Sequence, residues 1–189
     1  MSADDNRHIV VYDTSFINNS PIRIGLISDT HIPRDADALP PRIWQAFTAV
    51  DLILHAGDIY IPEVLDQLET IAPVIAARGN GDWEFPQDAR LSTHCVTRIA
   101  GHTIGLTHAL HYSDNLMHTT PRMIERQFGQ PLDIIVVGDT HIATVETCNG
   151  VILVNPGSPT VPIGSPDTGS VGMLEIAEAK ATVDIIYLR

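Results

Sequence analysis

The 189-residue sequence has few cysteines, few aromatic residues and no long apolar run. Its two cysteines, Cys95 and Cys148, form neither a CxxC pair nor a secretory disulfide pattern, so a disulfide-stabilised extracellular fold is not indicated. Aromatic residues make up 5% of the chain, which leaves Ile, Val, Leu and Ala to fill a core. Because no apolar stretch reaches about 18 residues and no basic segment precedes an apolar one, we expect a cytoplasmic protein without a membrane span.

Basic residues are also scarce, since 11 of them face 23 acidic residues and the formal net charge is -12. A charge of this sign opposes nonspecific attraction to nucleic-acid backbones and to anionic membranes, so neither is an expected partner. A small phosphate ester is not excluded by the same argument, because bound divalent cations would reverse the local sign of the field.

Apolar, β-branched segments alternate with polar loops and helical segments from Ile22 onwards, which is typical of an α/β protein. We expect a single domain over 22–189, built as a sandwich of two mixed β-sheets flanked by helices, after an N-terminal extension over 1–21. Residues 9–12 form a short apolar patch that is part of this extension or an added edge strand. The expected helices are 41–50, 62–71 and 121–128; the expected strands are 22–28, 51–55, 74–77, 94–99, 103–107 and 132–137, followed by antiparallel strands at 151–154, 170–176 and 181–187.

Residues whose side chains can bind a metal lie just after the ends of five predicted strands. In α/β sheets the crevice beyond the carboxyl ends of the strands is the usual ligand site, so these side chains are expected to meet there. Gly57, Gly79 and Gly138 accompany three of the positions and permit a sharp turn and a close approach. The candidate metal ligands are Asp29, His31, Asp58, Asn80, His108, Asp139 and His141.

The motifs formed by these residues resemble the signature blocks of the calcineurin-like metallophosphoesterases. In order, they are Asp-Thr-His at 29–31, Gly-Asp at 57–58, Gly-Asn-Gly-Asp at 79–82, Thr-His at 107–108 and Gly-Asp-Thr-His at 138–141. Asn-Pro-Gly-Ser-Pro at 155–159 matches a further block of the small single-domain bacterial and archaeal phosphodiesterases, whose fold is shared with a retromer scaffold subunit. The resemblance covers residues 22 to about 187.

The resemblance implies a centre of two divalent metal ions, with manganese foremost and iron, zinc, nickel or magnesium as alternatives. It assigns Asp29, His31, Asp58 and His141 to one ion and Asp58, Asn80, His108 and Asp139 to the other, so that Asp58 bridges them. A hydroxide shared by the two metals would attack a small phosphate ester, foremost a phosphodiester. Asp58, Asn80 and His111 are the residues expected to take part in catalysis.

The sequence departs from the family pattern at two positions. Gly81 stands where many relatives have a histidine that protonates the leaving group. His111, three residues after His108, is the nearest candidate replacement, and a solvent-facing loop histidine is the alternative interpretation. Asp139 stands where the family usually has histidine, and we expect it to remain a metal ligand.

Three further residues have open alternatives. His55 either orients a metal ligand from behind or is satisfied by a backbone carbonyl. Asp82 either caps a turn or bonds to His31 or His55, rather than ligating a metal. Trp83 follows the third ligand loop, where it either borders the substrate or is buried against the edge of the domain.

Two functions from different classes fit this pattern. The first is a metal-dependent phosphoesterase, which the retention of six of the seven expected ligand positions favours, with an acidic residue at the seventh. The second is a non-catalytic protein-interaction scaffold of the same fold, which an exposed apolar patch would favour. The substrate and the oligomeric state stay open.

Overall fold

The computed structural model describes residues 9–84, 88–110, 121–164, 168–178 and 180–189. In these ranges the chain forms strands and three α-helices, with a short 3₁₀ turn at Gly81–Glu84. The helices are α1 (Arg42–Ala46), α2 (Pro62–Glu69) and α3 (Pro121–Phe128). The strands are β1 (Ile9–Tyr12), β2 (Ile22–Ile27), β3 (Leu52–His55), β4 (Val74–Ala77), β5 (Leu91–Ser92), β6 (His94–Ile99), β7 (His102–Thr107), β8 (Ile134–Val136), β9 (Thr144–Cys148), β10 (Val151–Asn155), β11 (Ser170–Ala177) and β12 (Lys180–Tyr187).

The strands form two mixed sheets. The first sheet has the order β1-β6-β7-β8-β10-β9, in which β7, β8 and β10 run parallel. The second has the order β12-β11-β2-β3-β4-β5, in which β2 to β5 run parallel and β11 runs antiparallel to both of its neighbours, β2 and β12. The predicted α/β sandwich of two mixed sheets is therefore confirmed.

The central strands are apolar on both faces because both faces are covered. In β2 and β3, Ile24 and Leu54 point into the core between the sheets, where they join Val136 of β8. Ile27 and Ile53 point outward against a second cluster that contains Phe47 beside α1 and Leu65 of α2. This two-sided burial explains why the parallel strands appear in the sequence as continuous apolar runs.

The helices lie on the outer faces of the sandwich. Val64, Leu65 and Leu68 of α2 are buried, as the helical spacing predicts, and they cover the second sheet. Ile124 and Phe128 of α3 cover the first sheet. Among the described residues no helix is both long and apolar enough to cross a membrane.

Two predictions about local structure are wrong in detail. The helix expected over 41–50 ends at Ala46, and Phe47 then leaves the helical conformation with φ -97° and ψ 18°. The strand at 151–154 was expected to be antiparallel like the tail; β10 does pair antiparallel with β9, but it also lies parallel to β8, which was not expected. Sequence reasoning missed β9, because an edge strand whose Val145, Glu146 and Thr147 are exposed gives a weak pattern.

Residues 9–12 form an edge strand of the first sheet. β1 pairs in parallel with β6. Just after the end of β1, the hydroxyl oxygen of Thr14 lies 2.8 Å from that of Thr97 in β6. The interpretation as an added edge strand therefore applies to these residues. The domain boundary at residue 22 stays a prediction.

The same sheet order brings the predicted ligand loops to one place. Because β2, β3 and β4 are parallel neighbours, the loops after them meet at one edge of the second sheet. The loops after the parallel strands β7 and β8 meet at one edge of the first sheet. Asp29 Oδ1 after β2 and His108 Nε2 after β7 are 3.9 Å apart, so the two edges face each other across the sandwich.

Candidate metal centre

Five of the seven predicted ligands form two groups that share one carboxylate. The first cluster is Asp29, His31 and His141, and the second cluster is Asp29, Asp58 and His108. In each cluster the candidate ligand atoms lie within 4.8 Å of one another. Asp139 adjoins the second cluster, since its Oδ1 is 3.5 Å from His108 Nε2.

The three histidines are held in the same way, with Nδ1 bound to the protein and Nε2 directed at the clusters. Nδ1 of His31 is 2.7 Å from a carboxylate oxygen of Asp35. Nδ1 of His108 donates to the carbonyl oxygen of Ala56 at 2.7 Å, and Nδ1 of His141 donates to that of Val161 at 2.9 Å. Such second partners fix the tautomer and the ring orientation of a metal-binding histidine.

The distances between the side chains fit ligands around a common ion better than direct ion pairs. The Nε2 atoms lie 3.4–3.9 Å from the nearby carboxylate oxygens, whereas a charge-assisted hydrogen bond is about 2.7–2.9 Å long. Two ligands that are each about 2.1 Å from one ion lie roughly 3–3.5 Å apart. Within the described part of the chain, Nε2 of His31 and Nε2 of His108 are buried and have no hydrogen-bond partner. The residues present therefore fit divalent cations.

The ionisation of the second cluster reflects an excess of negative charge. Burial alone favours the neutral ring of His108. The carboxylates of Asp139, Asp29 and Asp58 outweigh burial and raise the pKa of His108 to about 9. The His108 imidazole, whose Nε2 lies 3.5 Å from Asp139 Oδ1, in turn lowers the pKa of Asp139. A divalent cation bound here would balance the same carboxylates and would favour the neutral ring of His108.

Asp58 lies between the histidines of the two clusters. Its Oδ2 is 3.4 Å from His31 Nε2 and 3.6 Å from His108 Nε2, while its Oδ1 accepts a hydrogen bond from the backbone N–H of Gly81 at 2.8 Å. Asp29, the carboxylate common to both clusters, also approaches His31 and His108. The bridging role of Asp58 stays a prediction, and Asp29 is a second carboxylate placed to touch both ions.

Asn80 lies at the rim of the second cluster rather than inside it. Its side chain is exposed, and it lines a cleft of about 220 Å³ together with His108 and Asp139. Its assignment as a ligand stays a prediction. His111 lies outside the described residues, so its proposed role as general acid also stays a prediction.

Glycine at positions 79 and 138 is required by close contacts within the centre. A Cβ at Gly79 would lie 2.0 Å from Asp58 Oδ1, and a Cβ at Gly138 would lie 1.9 Å from Ser28 Oγ. Five of the predicted ligands, however, adopt the left-handed backbone conformation themselves. Non-glycine residues rarely adopt this conformation. The five ligands are Asp29 (φ 54°), His31 (φ 50°), Asp58 (φ 55°), Asp139 (φ 70°) and His141 (φ 58°).

Asp82 connects the loops after β3 and β4 through hydrogen bonds to backbone N–H groups, and its own carboxylate belongs to neither cluster. Its buried carboxylate accepts backbone N–H groups of Asp58, Ile59 and Tyr60 at 2.8–3.1 Å and that of Gly79 at 2.7 Å. Of the two alternatives, the structure therefore supports the turn cap. The short spacing Gly-Asn-Gly-Asp indicates such a turn in the sequence, but the partners lie 22–24 residues away for three of the four bonds.

The block at 155–159 supports the centre from the other side. The Asn155 side chain donates to the carbonyl oxygen of Gly138 at 2.7 Å, and Ser158 Oγ donates to that of Asp29 at 2.7 Å. Thr160 Oγ1 donates to the carbonyl oxygen of Thr30 at 2.9 Å. Sequence reasoning recognised this block by resemblance alone and missed its bonds, because all of them span long distances along the chain.

Position 81 and His55 lie behind the centre, and the partner of His55 is a backbone N–H rather than the backbone carbonyl of the second alternative. The histidine missing at position 81 has no space, because a Cβ on Gly81 would lie 2.2 Å from the ring of Tyr60. The Tyr60 hydroxyl is instead 3.2 Å from His31 Nδ1. His55 is fully buried and accepts the Gly57 N–H on Nδ1 at 3.2 Å, and burial lowers its pKa to about 3, so it is neutral.

Comparison with known proteins agrees with this geometry. The calcineurin-like phosphoesterase superfamily domain matches residues 22–179. A probable metallophosphoesterase of Methanothermobacter thermautotrophicus is 37% identical over 164 residues, which are 86% of this chain and 91% of the relative. The chain therefore belongs to the calcineurin-like phosphoesterase superfamily, and the resemblance inferred from the motifs is confirmed.

Solved structures of distant relatives share the fold. Vacuolar protein sorting 29 of Cryptosporidium parvum has a TM-score of 0.68 at 22% identity, with 90% of this chain and 99% of that chain covered. A structure described as a novel archaeal phosphodiesterase has a TM-score of 0.64 at 19% identity, with 87% and 100% covered. At these identities the likeness concerns the fold alone.

Proposed function

We propose that the protein is a phosphodiesterase that uses two divalent cations to hydrolyse a small phosphate ester. The observation that carries the proposal is that, within the described residues, buried imidazole nitrogens without hydrogen-bond partners and carboxylate oxygens converge from four separate strand ends. Family membership and the probable metallophosphoesterase of an archaeon support the same chemistry. When bound, the two cations would supply an activated water and would offset negative charge on the phosphoryl oxygens.

The protein residues have three tasks in this reaction. The imidazoles of His31, His108 and His141 keep Nε2 aimed at the cations because their Nδ1 atoms are bound elsewhere. The carboxylates fix the charge of the centre. The cleft of about 220 Å³ beside His108 and Asp139 leaves space for an ester.

The net charge of the centre bears on the choice between a diester and a monoester. The three carboxylates of Asp29, Asp58 and Asp139 would leave two dications with a single net positive charge. One such charge attracts a dianionic monoester less than the two charges of a centre with two carboxylates would, so the electrostatic advantage of the monoester over the monoanionic diester is reduced. The archaeal phosphodiesterase with the same fold supports the choice of a diester.

One observation favours the alternative, a non-catalytic protein-interaction scaffold. The side chains of Ile142, Ile163 and Tyr187 are 43%, 56% and 40% exposed and line a small helix-free depression beside His141. An exposed apolar patch of this kind can serve as a binding surface. Vacuolar protein sorting 29 with the same fold makes this the second candidate.

The two functions are separated by measuring metal content and turnover on one preparation. Protein purified without chelator should contain divalent metal and should release p-nitrophenol from bis(p-nitrophenyl) phosphate faster than from p-nitrophenyl phosphate. Removal of the metal with EDTA should abolish turnover, and added Mn²⁺ should restore it. Folded protein that retains its metal but hydrolyses neither ester would contradict the enzyme and favour the scaffold.

A further inference from the structure

Trp83 is exposed at the edge of the candidate centre. Its side chain belongs to the 3₁₀ turn Gly81–Glu84 that follows Asn80, and the residue is 61% exposed. The alternative of burial against the domain edge is therefore wrong. An indole is a large, rigid apolar surface, so its exposure beside a cleft provides a place where a planar ligand can displace water.

Arg78 holds this indole in place. Its guanidinium carbon lies 4.5 Å from the centroid of the Trp83 ring, which is the geometry of a cation–π contact. Arg78 itself follows β4 directly and its backbone N–H donates to the carbonyl oxygen of Ser92 at 3.0 Å. The aromatic ring is thus supported by a residue that the second sheet fixes.

The cleft beside the second cluster connects this pair to the reacting centre. Trp83, Arg78 and Thr93 line the same volume of about 220 Å³ as His108 and Asp139. A phosphate ester whose phosphorus lies at the clusters can therefore extend an ester group along the cleft to the indole. The apolar character of much of the lining suits a planar group rather than a second anion.

We propose that Trp83, positioned by Arg78, forms a subsite for a planar aromatic ester group of the substrate. This inference rests on the proposed function, since it assigns the substrate class of the same site. Stacking on an aromatic side chain strengthens binding about tenfold or more for a planar ring. The subsite thus favours aryl phosphate esters over alkyl ones.

The test compares two phosphonates that are not hydrolysed, phenylphosphonate and methylphosphonate. The chain has two tryptophans, Trp44 and Trp83, so Trp44→Phe leaves Trp83 as the one indole whose fluorescence reports on the cleft. Dissociation constants are measured by this fluorescence and by inhibition of turnover, with Mn²⁺-loaded protein at a pH where both phosphonates are dianions. Ile142→Ala is the matched control, because Ile142 lines a different cleft of about 160 Å³ that also reaches Asp139.

Phenylphosphonate should change the Trp83 fluorescence and should bind about tenfold tighter than methylphosphonate. Trp83→Ala should bring this ratio close to one with little change for methylphosphonate, as judged by inhibition, and Trp83→Phe should restore most of it. The subsite is overturned if phenylphosphonate leaves the fluorescence unchanged, or if Ile142→Ala removes the preference and Trp83→Ala does not. Phosphonate binding with the expected ratio but no turnover of either nitrophenyl ester would instead refute the proposed function and leave the subsite standing.

Discussion

The first and second clusters share Asp29 but differ in donor type and charge. The first cluster offers two imidazoles and one carboxylate, and its two rings pack edge to face with centroids 4.8 Å apart. The second cluster offers one imidazole and two carboxylates, with the carboxylate of Asp139 alongside. Because imidazole suits zinc, nickel and iron whereas carboxylate suits manganese and magnesium, the two clusters should prefer different metals.

The clusters also differ in their surroundings. His31 in the first cluster is backed by Asp35 and Tyr60, so its ring is held by two side chains. The second cluster faces the cleft through Asp139, whose side chain is 42% exposed. From this difference we expect the first cluster to hold its metal more tightly and the second cluster to face the substrate.

The largest expected effect is a loss of both sites in Asp58→Asn. The amide keeps the shape but removes a negative charge that lies between His31 and His108. We expect turnover of the diester to fall at least about a thousandfold, since a bound metal contributes several kcal/mol to the transition state. Bound metal should fall as well, by elemental analysis after dialysis. Asp37→Asn, an exposed neighbour of the first loop, is the control; near-normal turnover in Asp58→Asn would contradict the two-metal proposal.

Removing one histidine from each cluster should separate the two metals. His141→Ala is expected to lower the metal affinity of the first cluster, and His108→Ala that of the second cluster. Each loss should exceed about 10–100-fold, which is the loss of affinity expected when a hydrogen-bond partner of a ligand is removed. Calorimetric titration with Zn²⁺ and with Mn²⁺ measures both affinities. His102→Ala, at the opposite end of β7 from His108, is the control. Equal losses for both metals in both variants would show that the clusters do not differ.

A smaller effect is expected from Asp139→His, which converts the donor beside the second cluster from oxygen to nitrogen. Zinc should gain on manganese by on the order of tenfold, because imidazole is the softer donor. The added positive charge relative to aspartate should also shift the rise of activity to lower pH by making the attacking water more acidic. Competition between Zn²⁺ and Mn²⁺ and a pH–rate profile check the two parts. An unchanged metal preference would show that Asp139 is not a ligand.

The smallest effect is expected from Asp35→Asn, which acts on the first cluster through His31. Its carboxylate is 2.7 Å from His31 Nδ1, but Asp35 is partly exposed and the Tyr60 hydroxyl is a second partner. We therefore expect metal affinity at the first cluster to fall about tenfold or less, at the low end for outer partners. The second cluster should be unaffected in the same titration. A loss at both clusters would mean that His31 serves both ions.

Much of the fold was predictable because burial leaves a clear pattern. Val74–Ala77 and Pro121–Phe128 have the bounds that the sequence predicts, since an apolar run between turn residues and a helical period with proline at the start are both local signals. β9 was missed because Val145, Glu146 and Thr147 are exposed, so burial leaves little pattern there. The partners of β10 could not be predicted, since strand order depends on pairing between distant segments.

The candidate site was predictable in its members more than in its arrangement. Asp29, Asp58 and His108 were identified from order and from strand ends, and the structure brings them together. The sequence could not show that the two clusters share the carboxylate of Asp29, because this depends on how loops from the two sheets are placed in the folded protein. A turn cap was one of the two alternatives for Asp82, and three of the four bonds that its carboxylate makes cross to the preceding ligand loop.

The sequence by itself determined the apolar strands, the ligand types at their ends and the family, because each is encoded within a few consecutive residues. Tertiary structure alone decided that Tyr60 fills the space of the missing histidine at Gly81 and that Trp83 is exposed beside the second cluster. Both outcomes depend on which loops, distant in the sequence, come together when the two sheets pack. The order of residues along the chain does not show which loops these are. The types of candidate metal ligand are therefore encoded in short segments of the sequence, whereas the shape of the cleft beside them is set by tertiary packing.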